Sequence, residues 1–241
     1  LVRSRGLGDV YKRQGPLYSG IGSTRFWASF EQGRVTSITA DLALADVRAQ
    51  LAPKLAELRL PRLTGRLHYA DDGSQTRFSA KDFTFTTLND ARFGPSDIEA
   101  QCDHDVSGTV IGCSFKASEL SLSNIAKIGT SLPLPAAALK LLRDRPFSGT
   151  LRQLNASFNG DYADLGAWTF SSFFTGLSLP PANDGMPGVR NISGEISTSN
   201  PGEFEVDLDT HYATLYFPGI FRHPQMNFSS ITGRVSAALH S

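Results

Sequence analysis

Four carboxylates stand on alternate positions in the stretch "GEFEVDLD": Glu203, Glu205, Asp207 and Asp209. Acids at that density could serve general acid–base catalysis or hold a metal. On an extended chain, residues two apart sit about 7 Å from each other, given a rise of roughly 3.3 Å per residue. Their repulsion in water is only about 0.6 kcal/mol per pair, which a solvated face tolerates. A catalytic pair needs apolar surroundings that drive two pKa values apart, and that parity supplies none. A calcium loop needs the turn spacing Asp-x-Asp-x-Asp-Gly rather than a strand. The four acids therefore read as the wet side of a wall, and attention passes to the other parity, Phe204, Val206 and Leu208.

The remaining chemistry-bearing residues give similar answers. In "DHD" a strand sends His104 to the face opposite Asp103 and Asp105, so the three cannot share one metal. The five histidines are scattered, with no His-x-His and no His-Glu-x-x-His, and neither Cys-x-x-Cys, a nucleophile elbow nor a P-loop occurs. The lone Gly-x-Gly of "SGIGS" has no helix after it. No residue set argues for an enzyme or a cofactor. Cys102 and Cys113 flank "DHDVSGTVIG". If Ser107–Gly108 is a two-residue hairpin turn, the two cysteines come opposite each other. A cross-strand disulfide is then geometrically possible in an oxidising compartment, and two buried free thiols are the alternative.

The chain has 241 residues, 23 basic and 23 acidic, so no net field gathers nucleic acid or an anionic membrane surface. Sixteen Phe, with Gly and Pro together at 35, suit many short strands joined by turns. No apolar run reaches the length that spans a bilayer, and no signal peptide is visible. Residues 1–14, "LVRSRGLGDVYKRQ", differ from everything that follows and read as translated adapter sequence, with a flexible basic arm as the alternative. The chain stops in mid-pattern at "TGRVSAALHS", as a fragment would.

Period-two alternation runs through the rest. Strands are expected over residues 25–30, 34–44, 98–104, 109–122, 150–159 and 167–177, besides the acidic one. In "RFSAKDFTFTT", Phe78 and Ala80 share one parity while Phe83 and Phe85 share the other, so a bulge is expected near Lys81–Asp82. Helix is expected only between Pro135 and Arg143, with a weaker candidate in "AQLAPKLAEL" interrupted by Pro53. An internal repeat reads apolar, Ser/Thr, Gly, variable, apolar: "LTGRL", "FSGTL", "ISGEI" and "ITGRV". It marks a hairpin unit with a Gly where the chain bends or a strand packs closely. Units that bury one face only against neighbours imply a stacked, extended architecture. The expected fold class is all-β, an elongated, curved antiparallel sheet forming an open groove from repeated hairpins, with one or two short helices. It divides into residues 15–143, ending in the helix, and residues 144–241.

Aromatic clusters in "RFWASF", "DFTFTT", "WTFSSFF" and "ATLYFPGIF" fit two readings: the core of a closed sandwich, or the lining of a greasy groove. Candidate lining residues are Phe78, Phe83, Phe85, Phe170, Phe204, Val206, Leu208, Leu215 and Phe217. A β-solenoid enzyme acting on carbohydrate would need convergent acids beside exposed aromatics, and the acids lie on a face without them.

The order of elements resembles the YhdP branch of the AsmA-like proteins. It runs from "ADVRAQLAP" through the apolar-Gly hairpin "LTGRL" and "LPLPAAALKLL" to "LYFPGIF". That resemblance implies a very large bacterial envelope protein, anchored in the inner membrane by an N-terminal helix absent from this chain. Its periplasmic β-groove would carry phospholipids toward the outer membrane, with further envelope proteins as partners at its ends, no catalytic residues and no nucleic acid. The residues fit physically: a seven-residue strand spans about 23 Å, against about 15 Å for one leaflet's acyl chains. The runner-up is a structural or interaction β-sandwich of the envelope without lipid transport.

Overall fold

In the computed structural model, the structure describes residues 17–52, 54–88, 91–132, 134, 136–160, 168–181, 185–200 and 203–238. Residues 1–14 and the "NPG" turn before Glu203 lie partly or wholly outside them. The fold is an up-and-down meander in one sheet, every strand antiparallel to the one before it. The first six strands are β1 (Leu17–Glu31), β2 (Arg34–Ala49), β3 (Leu58–Asp71), β4 (Gln75–Thr86), β5 (Arg92–His104) and β6 (Val110–Ser121). Two helices follow, α1 (Leu122–Ile128) and α2 (Ala136–Asp144), separated by a 3₁₀ turn at Gly129–Ser131. The sheet resumes with β7 (Ser148–Asn159), β8 (Trp168–Leu179), β9 (Gly188–Asn200), β10 (Glu203–Tyr216) and β11 (Gln225–Ala238). The eleven strands stand in chain order and the sheet does not close. Among the described residues no second sheet covers the aromatic face, so they form an open sheet and not the closed sandwich that was the other reading. The boundary placed at 143/144 falls inside α2, before its last residue Asp144, and β7 is hydrogen-bonded to β6.

Strict antiparallelism sorts the connections into two rims. Links after β1, β3 and β5 are short and polar, such as Gln32–Gly33 and the "DGS" of 72–74. Links after the even-numbered strands lie at the other rim and are mostly longer, 50–57, 122–147, 180–187 and 217–224, with 87–91 the same length as 105–109 after β5. The weaker helix candidate, residues 49–58, is not helical at its described residues; the Leu55 amide donates to the Ala52 carbonyl at 3.0 Å, and Pro53 lies outside the described residues. Pro53 leaves too short a run for a helix. α1 was not legible in the sequence, since "LSNIAKI" offers only seven residues.

The bulge expected near Lys81–Asp82 is present. Asp82 has φ 49°, and its amide donates to the Asp97 carboxylate at 2.9 Å. The device recurs across the sheet, with Asp46, Gln153, Asn191 and Tyr212 also at positive φ within their strands. Each such residue costs about 1–2 kcal/mol of local strain and moves the apolar set to the other parity. Thus β2 carries Leu42 and Leu44 before Asp46 but Val47 after it, and β10 carries Val206 and Leu208 before Tyr212 but Ala213 and Leu215 after it. The result is one continuous apolar face on a sheet creased along its length. Below the crease, Val47, Leu60, Leu63, Phe85, Phe93, Leu120 and Ile128 of α1 form the main core.

Three copies of the repeat lie in β3, β7 and β9, the first strands of hairpins, and the fourth lies in β11. A Cβ on Gly194 would stand 2.1 Å from the Asp207 carbonyl oxygen of the next strand, and those on Gly65 and Gly149 would meet the backbones of Phe83 and Leu177 at 3.0 and 2.9 Å. These three glycines mark close strand approach, and Gly22 of "SGIGS" shares the role, since a Cβ there would stand 2.1 Å from the Ala43 carbonyl oxygen; Gly233, in the last strand, would meet nothing within 4 Å.

Cys102 and Cys113 are Cα partners 4.1 Å apart and disulfide-bonded. The turn differs from expectation: the Asp105 amide bonds the Thr109 carbonyl, so the loop has three residues, and a register shift after Asp103 restores the cysteine pairing. The Asp105 carboxylate accepts bonds from the Ser107 hydroxyl (2.6 Å) and from the Thr109 (2.9 Å) and Ser107 (2.8 Å) amides. These hold its pKa below the usual carboxylate range. Asp72 is likewise held low by the Ser74 hydroxyl, then the Ser74 and Gln75 amides. A depressed folded-state pKa stabilises fully above the unfolded value, and that contribution disappears as pH falls through the folded one. Hydrogen-exchange protection of the Thr109 and Gln75 amides is therefore expected at neutral pH and lost in acid below the ordinary carboxylate range. Asp105→Ala should erase the step at Thr109 alone; an unchanged acid step there would refute this account.

Candidate functional site

Register brings residues far apart in sequence into rows on the apolar face. Phe78 (β4) pairs with Ala100, Ala100 with Phe115 (β6), Phe115 with Ala156, and Ala156 with Phe170 (β8). Phe170 then bonds through its amide to the Thr198 hydroxyl, and Thr198 pairs with Phe204 of β10. Every even-numbered strand from β4 to β10 thus presents a Phe in this row, and every strand between them presents Ala or Thr. The next row inverts the order, with Ala80 and Ala117 on even strands and Leu67, Ile98 and Leu154 on odd ones. This alternation of large and small side chains gives a ribbed floor.

The ribs lean together. Strands two apart are separated by about 9.6 Å, yet the Phe170 and Phe204 ring centroids are 5.4 Å apart, above Thr198. Side chains converge in this way on the concave side of a curved sheet. Phe174 at 4 % exposure and Ile192 at 5 % are buried although no second sheet covers them, which fits a face folded toward itself at the crease. The row itself is more open: Phe78 is 38 % exposed, and Phe115, Phe170 and Phe204 are half-buried. Toward β1 the face is barer still, with Phe26 70 % exposed.

The candidate lining residues therefore separate into groups. Phe78, Phe170 and Phe204 lie in the row, and Val206 and Leu208 continue that face along β10. Leu215 lies beyond the crease and joins the cluster around Phe174. Phe83 is half-buried, and Phe85 is buried and stacked on Phe93 with centroids 4.8 Å apart, so both belong to the core near α1. Phe217 follows β10 in a rim loop, edge-on to Phe221 at 5.8 Å. Sequence reading did not single out Phe115, Ile38 or Tyr69, which share the face. Their only signal is parity relative to strands whose pairing the sequence does not state.

The opposite face is polar. Glu203, Glu205, Asp207 and Asp209 point outward as a group, but Asp207 is not free. It takes a two-pronged bond from Arg234 at 2.7 and 3.0 Å. Arg66 holds Asp41 in the same way at 2.6 and 3.0 Å, and both arginines follow a repeat glycine. Arg66 depresses the Asp41 pKa, and each carboxylate raises that of its arginine. Pairs this exposed add little stability; they fix register. In "DHD", Asp103 accepts from the Gln75 amide group at 2.7 Å, His104 meets the Thr76 hydroxyl at 2.8 Å, and Asp105 caps its turn, so the three have no common centre. Among the described residues no group of three or more His, Cys, Asp or Glu is placed to hold a metal, and no helix is long and apolar enough to cross a membrane.

Fold and site together define a class: an open, single-layer antiparallel sheet with one ribbed apolar face and one polar face. Within it, the chain belongs to the YhdP family, whose model, described as YhdP protein, matches residues 9–240. No curated protein and no solved structure matches the chain.

Proposed function

We propose that this chain is a lipid-binding segment of a periplasmic bridge, in which phospholipid acyl chains lie against the ribbed apolar face and pass along it between the inner and outer membranes. The observation that carries this reading is the row Phe78, Phe115, Phe170 and Phe204, spaced by small residues on a face that no second sheet covers. Dimensions agree. A twelve-residue strand such as β8 extends about 40 Å, so its part on one side of the crease accommodates the roughly 15 Å of an acyl chain. Binding by apolar burial, at about 25 cal/mol per Å², does not select a chain and lets it slide between equivalent ribs. Membership of the YhdP family is consistent with this role in the bacterial envelope.

The test is direct. Purified protein, stripped of lipid and titrated with a phospholipid bearing an acyl-chain fluorophore, should bind it saturably, and native mass spectrometry of the unstripped protein should show co-purified lipid. A lipid-free preparation that also fails to bind the labelled phospholipid would remove the reading.

A further inference from the structure

The apolar face ends differently at its two rims. At the rim of the longer links the chain folds back over it: Ile125, Ile128 and Leu132, from the connection after β6, pack with Leu60, Phe85 and Phe93 of the sheet. Hydrogen bonds pin this cover. The Ala56 amide donates to the Thr130 carbonyl at 3.2 Å, and the Arg145 guanidinium donates to the Pro187 and Pro180 carbonyls at 2.8 and 3.1 Å. Phe93 is left 4 % exposed. At the rim of the short turns the face is open over β3 and β4, where Tyr69, the Cα partner of Phe78, is 39 % exposed. Further along, at the β7–β8 hairpin, Phe158 is buried against Trp168 with ring centroids 4.9 Å apart.

The last row of the face before the short turns joins apolar to polar groups. It runs from Asp71 and Thr76 through the Cys102–Cys113 disulfide to Phe158 and Trp168. Tyr69 keeps its ring on the apolar face and donates its hydroxyl to the Asp71 carboxylate at 3.3 Å. Asp71 also accepts from the Gly73 amide at 2.8 Å, and the Thr76 hydroxyl meets His104 Nε2 at 2.8 Å. Tyr and Trp set where an apolar surface meets water mark the level at which hydrocarbon gives way to headgroups. The carboxylates described at this rim are Glu31, Asp71, Asp72, Asp103, Asp105 and Glu203; its arginines are Arg34 and Arg77, the second turned to Asp72 at 3.6 Å. From Thr76 to the crease at Asp82 is six residues, about 20 Å of strand, against roughly 15 Å for an acyl chain.

On the lipid-binding reading above, we infer that the phospholipid lies along the strands with its headgroup at the rim of the short turns, among Tyr69, Asp71, Thr76 and His104, and its acyl ends toward the crease. The headgroup this rim favours ends in an ammonium, as in phosphatidylethanolamine. Asp71 and the neighbouring carboxylates attract the amine, and they repel a phosphate that no positive charge accompanies. An ion pair this exposed is weak, so the lipid is oriented and still free to pass from one hairpin to the next.

Photocrosslinking to the wild-type protein tests the orientation. A phospholipid with a diazirine in its headgroup should label residues 69–76 and 102–109, and one with a diazirine at the acyl terminus should label residues around the crease. Headgroup adducts in 50–57, 122–147 or 180–187, or equal labelling of both rims, would overturn the inference and leave lipid binding standing. Failure of both probes to bind saturably would remove the lipid-binding reading and the inference with it. In competition with an acyl-labelled phospholipid, phosphatidylethanolamine should displace about two- to fivefold better than phosphatidylglycerol. Asp71→Asn keeps an acceptor for the Gly73 amide and should reduce that preference, while Asp209→Asn, on the polar face, should leave it unchanged. Equal displacement by the two lipids, stronger displacement by phosphatidylglycerol, or a preference untouched by Asp71→Asn would each refute the headgroup assignment.

Discussion

Phe204→Glu is expected to weaken binding of an acyl-labelled phospholipid by about tenfold or more, whereas Glu205→Ala, one residue away, changes it by less than about twofold. Phe204 closes the row of rings and leans toward Phe170, while Glu205 lies on the polar face. Removing a Phe side chain from an apolar contact surrenders about 1.5–3 kcal/mol, and a carboxylate in its place resists the desolvation that an arriving acyl chain imposes. A loss above about 1.4 kcal/mol is tenfold in affinity. Glu205 contributes mainly to the potential around Arg234, in water and outside the contact. Phe170→Glu should reproduce the effect, since its ring is the other half of the pair. Titration of both variants, after urea denaturation has shown them folded, decides the matter. Equal effects at positions 204 and 205 would refute the assignment of faces.

Gly194→Ala should destabilise the protein by about 3 kcal/mol, at the upper end of what overpacking costs, by lowering the urea midpoint without changing the slope. The added methyl group would lie 2.1 Å from the Asp207 carbonyl oxygen and 3.1 Å from the Leu208 Cα. These are backbone atoms of the adjoining strand, and no rotamer change relieves them. Relief requires β9 and β10 to part where Leu208 pairs with Gly194, beside the buried cluster of Phe174, Ile192 and Ala213. Gly129→Ala supplies the comparison. Gly129 is helical at φ −52°, and its added methyl group would meet only Leu139 and Leu142 side chains, at 3.6 and 3.7 Å. That change should be neutral or stabilise by about 0.4–1 kcal/mol. If Gly194→Ala were as mild as Gly129→Ala, close strand approach would not explain the repeated glycine.

Much of the fold is legible along single strands. The alternation of Phe204, Val206 and Leu208 with four acids names a strand and its two faces, because successive side chains point opposite ways. The parity change around Asp82 is visible because Phe83 and Phe85 are large enough to show it. At Gln153 and Asn191 the change rests on one apolar residue to each side, Leu151 against Leu154 and Val189 against Ile192, too short a pattern to stand out from the alternation around it. The carboxylate run reads correctly as solvated, but its partner Arg234 lies 27 residues away from Asp207. The Cys102–Cys113 pairing is foreseeable even through a wrong turn length, since an unseen bulge offsets the extra loop residue.

What the sequence alone determined, then, is everything that depends on period two within a strand: an all-β chain, one greasy face, one wet face and a Gly-marked hairpin unit. What only the tertiary structure decided is what lies beside what. The Phe row and the continuity of the apolar face across the crease both arise from register between strands. Register is a non-local property that each bulge or turn residue shifts by one, turning side chains from one face to the other. A chain with scattered aromatics becomes, through that register alone, a sheet with a ribbed apolar floor.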